Sequence, residues 1–157
     1  MTDLNRFEIA QNESYNSALE ELKNGKKIGH WMWYIFPQIE GLGASPMART
    51  YAIRNKKEAI AYLNHKILGT RLIEITTELN SIKDKSANII FGRTDSLKLK
   101  SCMTLFESIT SNNVIFSEIL QKFFDGEKCG YTLNMLKYYD DSAKDDCSPD
   151  PIKVNPK

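Results

Sequence analysis

Residues 66–82, "KILGTRLIEITTELNSI", place Leu68, Leu72, Ile75, Leu79 and Ile82 at alternating steps of four and three. Those steps return a side chain to one flank of a helix with 3.6 residues per turn, whereas a strand would alternate at every second residue. The stripe therefore predicts an amphipathic helix with one buried face. Gly69 sits inside it at a cost of about 1 kcal/mol in helix propensity against alanine, which marks a bend or a close helix contact.

The same period extends in both directions. Toward the N-terminus, Leu4, Phe7 and Gln11, then Tyr15, Ala18, Leu19 and Leu22, form stripes that follow a cap at Thr2 or Asp3 and stop at Gly25. Toward the C-terminus, Leu99, Cys102, Met103, Phe106 and Ile109 share a face behind a cap at Thr94 or Ser96, and "SNN" at 111–113 breaks that helix. Phe116, Ile119, Leu120, Phe123 and Phe124 build the next helix up to Gly126, and Thr132 opens a last one through Leu133, Leu136 and Tyr139. Ser45 followed by Pro46 at the first helical position, and Asn55 before Ala59, Ile60 and Leu63, read as two further helix starts. His65 reads as a cap on the C-terminus of the helix before it. The segment 83–95, "KDKSANIIFGRTD", reads as a connection with a short apolar turn that pins it to the core. No run shows period-two alternation bounded by hairpin turns. The fold class is all-α: a single compact multi-helix domain over residues 3–138.

Composition agrees. A chain of 157 residues with 41% hydrophobic and 26% charged residues has the size of one domain and enough apolar surface for a real core. Its net charge of +1, with Lys23, Lys26 and Lys27 interleaved among Glu20 and Glu21, gives no basic stripe for tracking phosphates, so nucleic acid is not an expected partner. Cys102, Cys129 and Cys147 lack any CxxC spacing, which argues against a disulfide framework or zinc knuckle and for reduced thiols in a cytoplasm. "MTDLNRFEIA" carries charges where a secretory signal would be apolar, and the longest apolar run, Trp31 to Pro37, is too short to span a bilayer. From Asp140 onward aspartates and prolines replace large apolar residues, so 139–157 reads as a flexible acidic tail with Cys147 as an exposed thiol.

The chemistry concentrates in residues 29–43, "GHWMWYIFPQIEGLG". His30 has the residue type for a general base or a donor near neutral pH. Trp31, Trp33, Tyr34 and Phe36 cannot all face inward from one short segment, so most fill the core while Trp31 or Trp33 lines a groove suited to stacking on a flat ring. Gln38, Gly41, Gly43 and Ser45 follow with polar groups and turn backbone beside a helix N-terminus, a signal for anion binding weaker than a P-loop or dinucleotide fingerprint. Lys98, Ser101 and Thr104 recur at steps of three along one helix edge, where a lysine above two hydroxyls can hold a phosphate or carboxylate, or the hydroxyls can bond back to their own helix. Gln11 and Tyr15 interrupt an apolar stripe and need buried partners.

These strings, "DLNRFEIAQ", "HWMWYIFPQIEGLGASPMARTYAI", "EAIAYL" with "LGTRL", "IFGRTDSLKLKSCMTLF" and "TLNML", resemble the family called domain of unknown function 1810, often mislabelled calpastatin-like. The likeness spans about Asp3 to Leu136 and implies a small, largely helical, bacterial-type domain of uncharacterised activity. The calpastatin label does not fit, since that inhibitor is a disordered repeat protein and this chain has a continuous core. The chain departs from the family at Lys66, where a proline is usual after the histidine, and at Cys102, where a serine is usual, which argues against a nucleophile there. "RFEIAQ" is faintly similar to a stretch of the helical N-glycosidases that act on ADP-ribose derivatives. That likeness would put their catalytic acid on Asn5, so a shared mechanism would need Asp3 or Asp95 instead.

The expectation is a pocket where residues 30–45 cross the first helices and the helix after Thr94. It would take a small anionic, nucleotide-like ligand between Gln11, Tyr15, His30, Trp31, Trp33, Gln38, Gly41, Gly43, Ser45, Lys98 and Ser101, with His30, Asp95 and Lys98 as catalytic candidates. No cofactor or metal is implied. The alternative is an interaction module that docks another protein through its aromatic surface.

Overall fold

A computed structural model of the chain describes residues 3–144. Its helices are α1 (Asn5–Lys23), α2 (Met32–Ile35), α3 (Pro46–Thr50), α4 (Lys56–Asn64), α5 (Leu68–Asn80), α6 (Ala87–Phe91), α7 (Arg93–Ile109), α8 (Ile115–Phe124) and α9 (Gly130–Lys144). Among the described residues there is no strand, only an isolated parallel bridge between Ile39 and Ile53. The all-α class and the single core read from periodicity are what the structure has.

The stripe on α5 is the centre of that core. Leu68, Leu72, Ile75 and Leu79 are each at most 1% exposed, and burying a leucine or isoleucine side chain contributes about 1.5–3 kcal/mol. They face α1, α4 and α8, while α7 packs on α4, α6, α8 and α9. A row of rings crosses the interior: Phe7 of α1 meets Tyr62 of α4 edge-on at 5.1 Å, Tyr62 meets Phe106 of α7 at 5.5 Å, and Phe106 meets Phe116 of α8 at 5.9 Å. Four helices are thereby tied through contacts that offset aromatic pairs favour.

Two caps read from sequence are present. Ser45 Oγ accepts from Ala48 N at 3.1 Å and Asn55 Oδ1 accepts from Glu58 N at 2.9 Å. Others differ, each for a tertiary reason. Asp3 accepts from Asn5 N, but the N-cap position of α1 is Leu4. Neither Thr94 nor Ser96 caps α7, because α6 and α7 abut with Gly92 alone between them; Ser86 caps α6 instead. His65 caps the helix that follows it rather than the one before: its Nδ1 accepts from Ile67 N and Leu68 N at 3.1 Å each. The last helix starts at Gly130, two residues ahead of Thr132, which is buried in its first turn. It continues to Lys144, and residues 145–157, Cys147 among them, lie outside the described residues.

Gly69 marks a close contact. A methyl group there would lie 1.9 Å from the Leu63 carbonyl oxygen, so only a residue without Cβ lets α4 end against the first turn of α5. Among the described residues no helix is long and apolar enough to cross a membrane.

Candidate functional site

Residues 27–33 leave α1 and turn into α2 over a polar lattice. Glu21 Oε1, at the end of α1, accepts from Ile28 N at 2.8 Å, Gly29 N at 3.0 Å and Trp31 Nε1 at 2.8 Å. Burial pushes the Glu21 carboxyl up, but those three donors and the nearby Lys27 ammonium outweigh it and hold the group below the usual carboxylate value. Trp31, 2% exposed, is therefore a core ring fixed by its nitrogen, 6.3 Å from Phe36 and with Lys27 Nζ 5.1 Å from its centre.

Lys27 links this turn to α7. Its Nζ donates to Gly29 O at 2.6 Å and pairs with Asp95 Oδ2 at 2.8 Å, while Asp95 Oδ1 pairs with Lys98 Nζ at 3.0 Å. Burial raises the Asp95 carboxyl and the two lysines outweigh it, so it too lies below its ordinary value. A carboxyl held in this way is ionised at neutral pH and has no proton to give as a catalytic acid. Lys98 Nζ rests 4.0 Å from the centre of the Trp33 ring, a cation–π contact, and with Asp95 as its partner it retains further N–H groups.

The half-buried Trp33 forms one wall of a shallow open cleft with a free interior of about 10 Å³, with Gln38, Ile39, Leu42, Ala48, Tyr51 and Ala52 as the rest of its lining. The backbone around it is pinned: Ile53 N donates to Gln38 O and Glu40 N to Ile53 O, both at 2.8 Å, the bridge that crosses from the 38–40 segment to the 52–54 segment. Ser45 sets Ala48 into the lining by capping α3. Gly41 has φ +103°, and a methyl there would lie 1.8 Å from the Tyr131 hydroxyl, which donates to Glu40 O at 3.2 Å. The turn beyond the cleft is thus held against α9. Gln38 is 6% exposed, and its carboxamide has no hydrogen-bond partner among the described residues.

Gly43 lies beside the cleft, against Ala48 and the Trp33 ring; the other residues expected at the pocket lie elsewhere. Gln11 is enclosed between helices: its Nε2 donates to Tyr34 O at 2.7 Å and Tyr62 Oη at 2.9 Å, and its Oε1 accepts from Arg71 at 3.4 Å. Tyr15 donates within 2.5 Å of Glu74 Oε1 and 3.1 Å of Arg71 O. These are interhelical bonds, the ordinary way of satisfying polar groups inside a core. His30 is exposed, on the solvent side of its turn, with no hydrogen bond to the described residues. Ser101 and Thr104 bond back to Leu97 O and Lys100 O, and both also reach Cys129. Of the set named from sequence, the structure brings Trp33 and Gln38 to one cleft and Lys98 and Asp95 to its Trp33 wall. The rings of 31–36 go mostly to the core rather than to a surface face, with Trp31 and Phe36 enclosed.

Sequence reading overlooked Glu21, Lys27 and Tyr51 as parts of this neighbourhood. Lys27 looked like one of three surface lysines, and nothing local announces a carboxylate 68 positions away, since Asp95 minus Lys27 is that separation. Among the described residues no group of three or more histidines, cysteines or carboxylates is arranged to hold a metal ion.

The comparisons fit this architecture. A crystal structure of the conserved hypothetical protein Rv1873 from Mycobacterium tuberculosis is similar at a TM-score of 0.85 and 47% sequence identity, over 86% of this chain and 96% of that one. No curated protein matches. The model of the family described as protein of unknown function (DUF1810) matches residues 1–136, which takes in α1 to α8, the cleft and the start of α9, and the chain therefore belongs to that family.

Proposed function

We propose that the protein binds a small anionic molecule with one planar ring, of nucleotide type, at the Trp33 cleft. The observation that carries this reading is the Gln38 side chain: it lines the cleft, and its carboxamide has no hydrogen-bond partner among the described residues. A carboxamide that faces a cleft without a protein partner can give its hydrogen bonds to a ligand or to water there. Trp33 and Tyr51 offer aromatic walls for a flat ring, and the ammonium of Lys98 beside Trp33 offers a charge for an anionic group. The free interior of the cleft, about 10 Å³, holds no more than a single water, so a guest would lie across its mouth. Enclosed sites for drug-sized ligands run to about 300–1,000 Å³, so the reading is of a ring stacked over Trp33 at the mouth of the cleft, with its anionic group on Lys98.

Thermal-shift screening tests the reading. A ligand present at about 100 times its Kd stabilises by about 2.7 kcal/mol, and each kcal/mol raises Tm by about 2–4 °C at this size. A mononucleotide or sugar phosphate that lifts the wild-type Tm, with the rise lost in Lys98→Ala and reduced in Gln38→Leu, is the expected result. An equal rise in all three proteins would place binding elsewhere.

A further inference from the structure

We propose that Cys129 is a modification site: its sulfur, at the N-terminus of α9 between the hydroxyls of Ser101 and Thr132, attacks hydroperoxides and is oxidised to a sulfenic acid. This site is separate from the Trp33 cleft and does not depend on the reading of that cleft.

Cys129 occupies the residue before α9, its carbonyl accepting from Leu133 N at 3.2 Å and its own N–H fixed by Thr104 Oγ1 at 3.0 Å. That seat points the thiol at the unpaired N–H groups of a 15-residue helix, where the aligned peptide dipoles favour a negative charge. The backbone N–H groups of Tyr131 and Thr132, in the first turn of the helix, favour the charged form of the sulfur. Ser101 Oγ lies 3.3 Å from it and 3.2 Å from Leu97 O, so one hydroxyl proton has two acceptors, and a charged sulfur is the stronger.

Thr132 is the independent sign. It is fully buried, its Oγ1 has no partner of its own in hydrogen-bond geometry, and the atom it faces is the Cys129 sulfur. An orphaned hydroxyl in that place acquires a full acceptor when the sulfur carries a negative charge or an added oxygen. Burial works against the thiolate, but the hydroxyls and helix N–H groups outweigh it and hold the thiol below its usual value, while the sulfur is only partly covered. The flanking charges do not supply this effect, since Lys100 pairs with Glu127 and Lys128 with Glu107. Cys102, one residue from Ser101, shows the opposite case: fully enclosed, its thiol is pushed up by burial alone.

In the reaction the thiolate lone pair forms an S–O bond with one peroxide oxygen. The O–O bond breaks, and its electron pair leaves on the second oxygen, which takes a proton from solvent and departs as water when the oxidant is hydrogen peroxide. Sulfur is oxidised by two electrons and the peroxide reduced by two. The Thr132 hydroxyl and the helix N–H groups then face the new oxygen.

The test is hydrogen peroxide exposure of the full chain with dimedone trapping, quantified by mass spectrometry on the separate peptides of Cys102, Cys129 and Cys147. Cys129 should be trapped about tenfold faster in the native protein than in the same protein unfolded in urea, because an ordinary thiol is only a few per cent thiolate near neutral pH. Ser101→Ala and Thr132→Val should each slow it severalfold. A native rate no higher than the unfolded one, or one that both variants leave unchanged, overturns the proposal. The comparison of native and unfolded wild type stands even where a variant does not fold.

Discussion

Glu21 and Asp95 carry more of the local structure than their half-buried settings announce. Each is an anion on which several donors converge: two backbone N–H groups and an indole on Glu21, two ammonium groups on Asp95. Both carboxyls are held below their ordinary values, so the unfolded chain binds more protons than the folded one and stability rises with pH through that range. Their contribution is complete above the ordinary carboxylate range and is lost as pH falls through the depressed values. Urea midpoints measured from pH 7 down to pH 3 should therefore fall, and Glu21→Gln should flatten the lower part of the curve while costing about 2 kcal/mol at neutral pH, in line with hydrogen bonds to charged groups. An unchanged profile in that variant would remove Glu21 from the account. At this scale the sequence was partly legible. The need of Gln11 and Tyr15 for buried partners followed from their place in an apolar stripe, but the partners, Tyr34, Tyr62, Arg71 and Glu74, come from helices whose approach only the fold determines.

Among the helices, what was readable was what is local. The α5 stripe from Leu68 to Leu79, the Ser45–Pro46 start and the Asn55 cap depend on residues within one turn of each other and are present as read, while Ile82 falls beyond the end of α5 at Asn80. His65, Ser86 and Thr132 were misassigned or missed because their roles follow from how one helix ends against the next. The start of α9 is the costliest instance, since placing it at Thr132 hid the Cys129 thiol at the helix end. Gly69 tests the α4–α5 junction. Alanine gains about 1 kcal/mol of helix propensity over glycine, but its methyl would meet Leu63 O at 1.9 Å, and overpacking of that kind costs about 1–3 kcal/mol. Gly69→Ala should lower the guanidinium midpoint with the slope unchanged. A stabilised variant would mean that the two helices are not in contact there.

Across the whole molecule, the long segment between α1 and α4 is fastened by one cation. Arg6 of α1 donates through Nε to Thr50 O at 2.8 Å and through Nη2 to Ala52 O at 2.7 Å, and it pairs at 3.0 Å with Glu58 of α4, whose side chain is 1% exposed. Removing the arginine leaves a buried carboxylate unpaired, so Arg6→Met should cost about 3–5 kcal/mol, and adding Glu58→Leu should restore part of it. A double variant no more stable than the single would contradict this description of the clamp. The same anchoring fixes residues 50–52, and with them Tyr51 and Ala52 of the cleft. That is why sequence reasoning could name Trp33, Gln38 and Lys98 but not the shape around them: their neighbours arrive through pairings between distant segments. The most direct measurement of the central claim is fluorescence of Trp33 in a Trp31→Phe background, titrated with nucleoside monophosphates. Saturable quenching that Lys98→Ala abolishes is the predicted result; a signal that never saturates, or that persists unchanged without the lysine, would contradict ligand binding at this cleft.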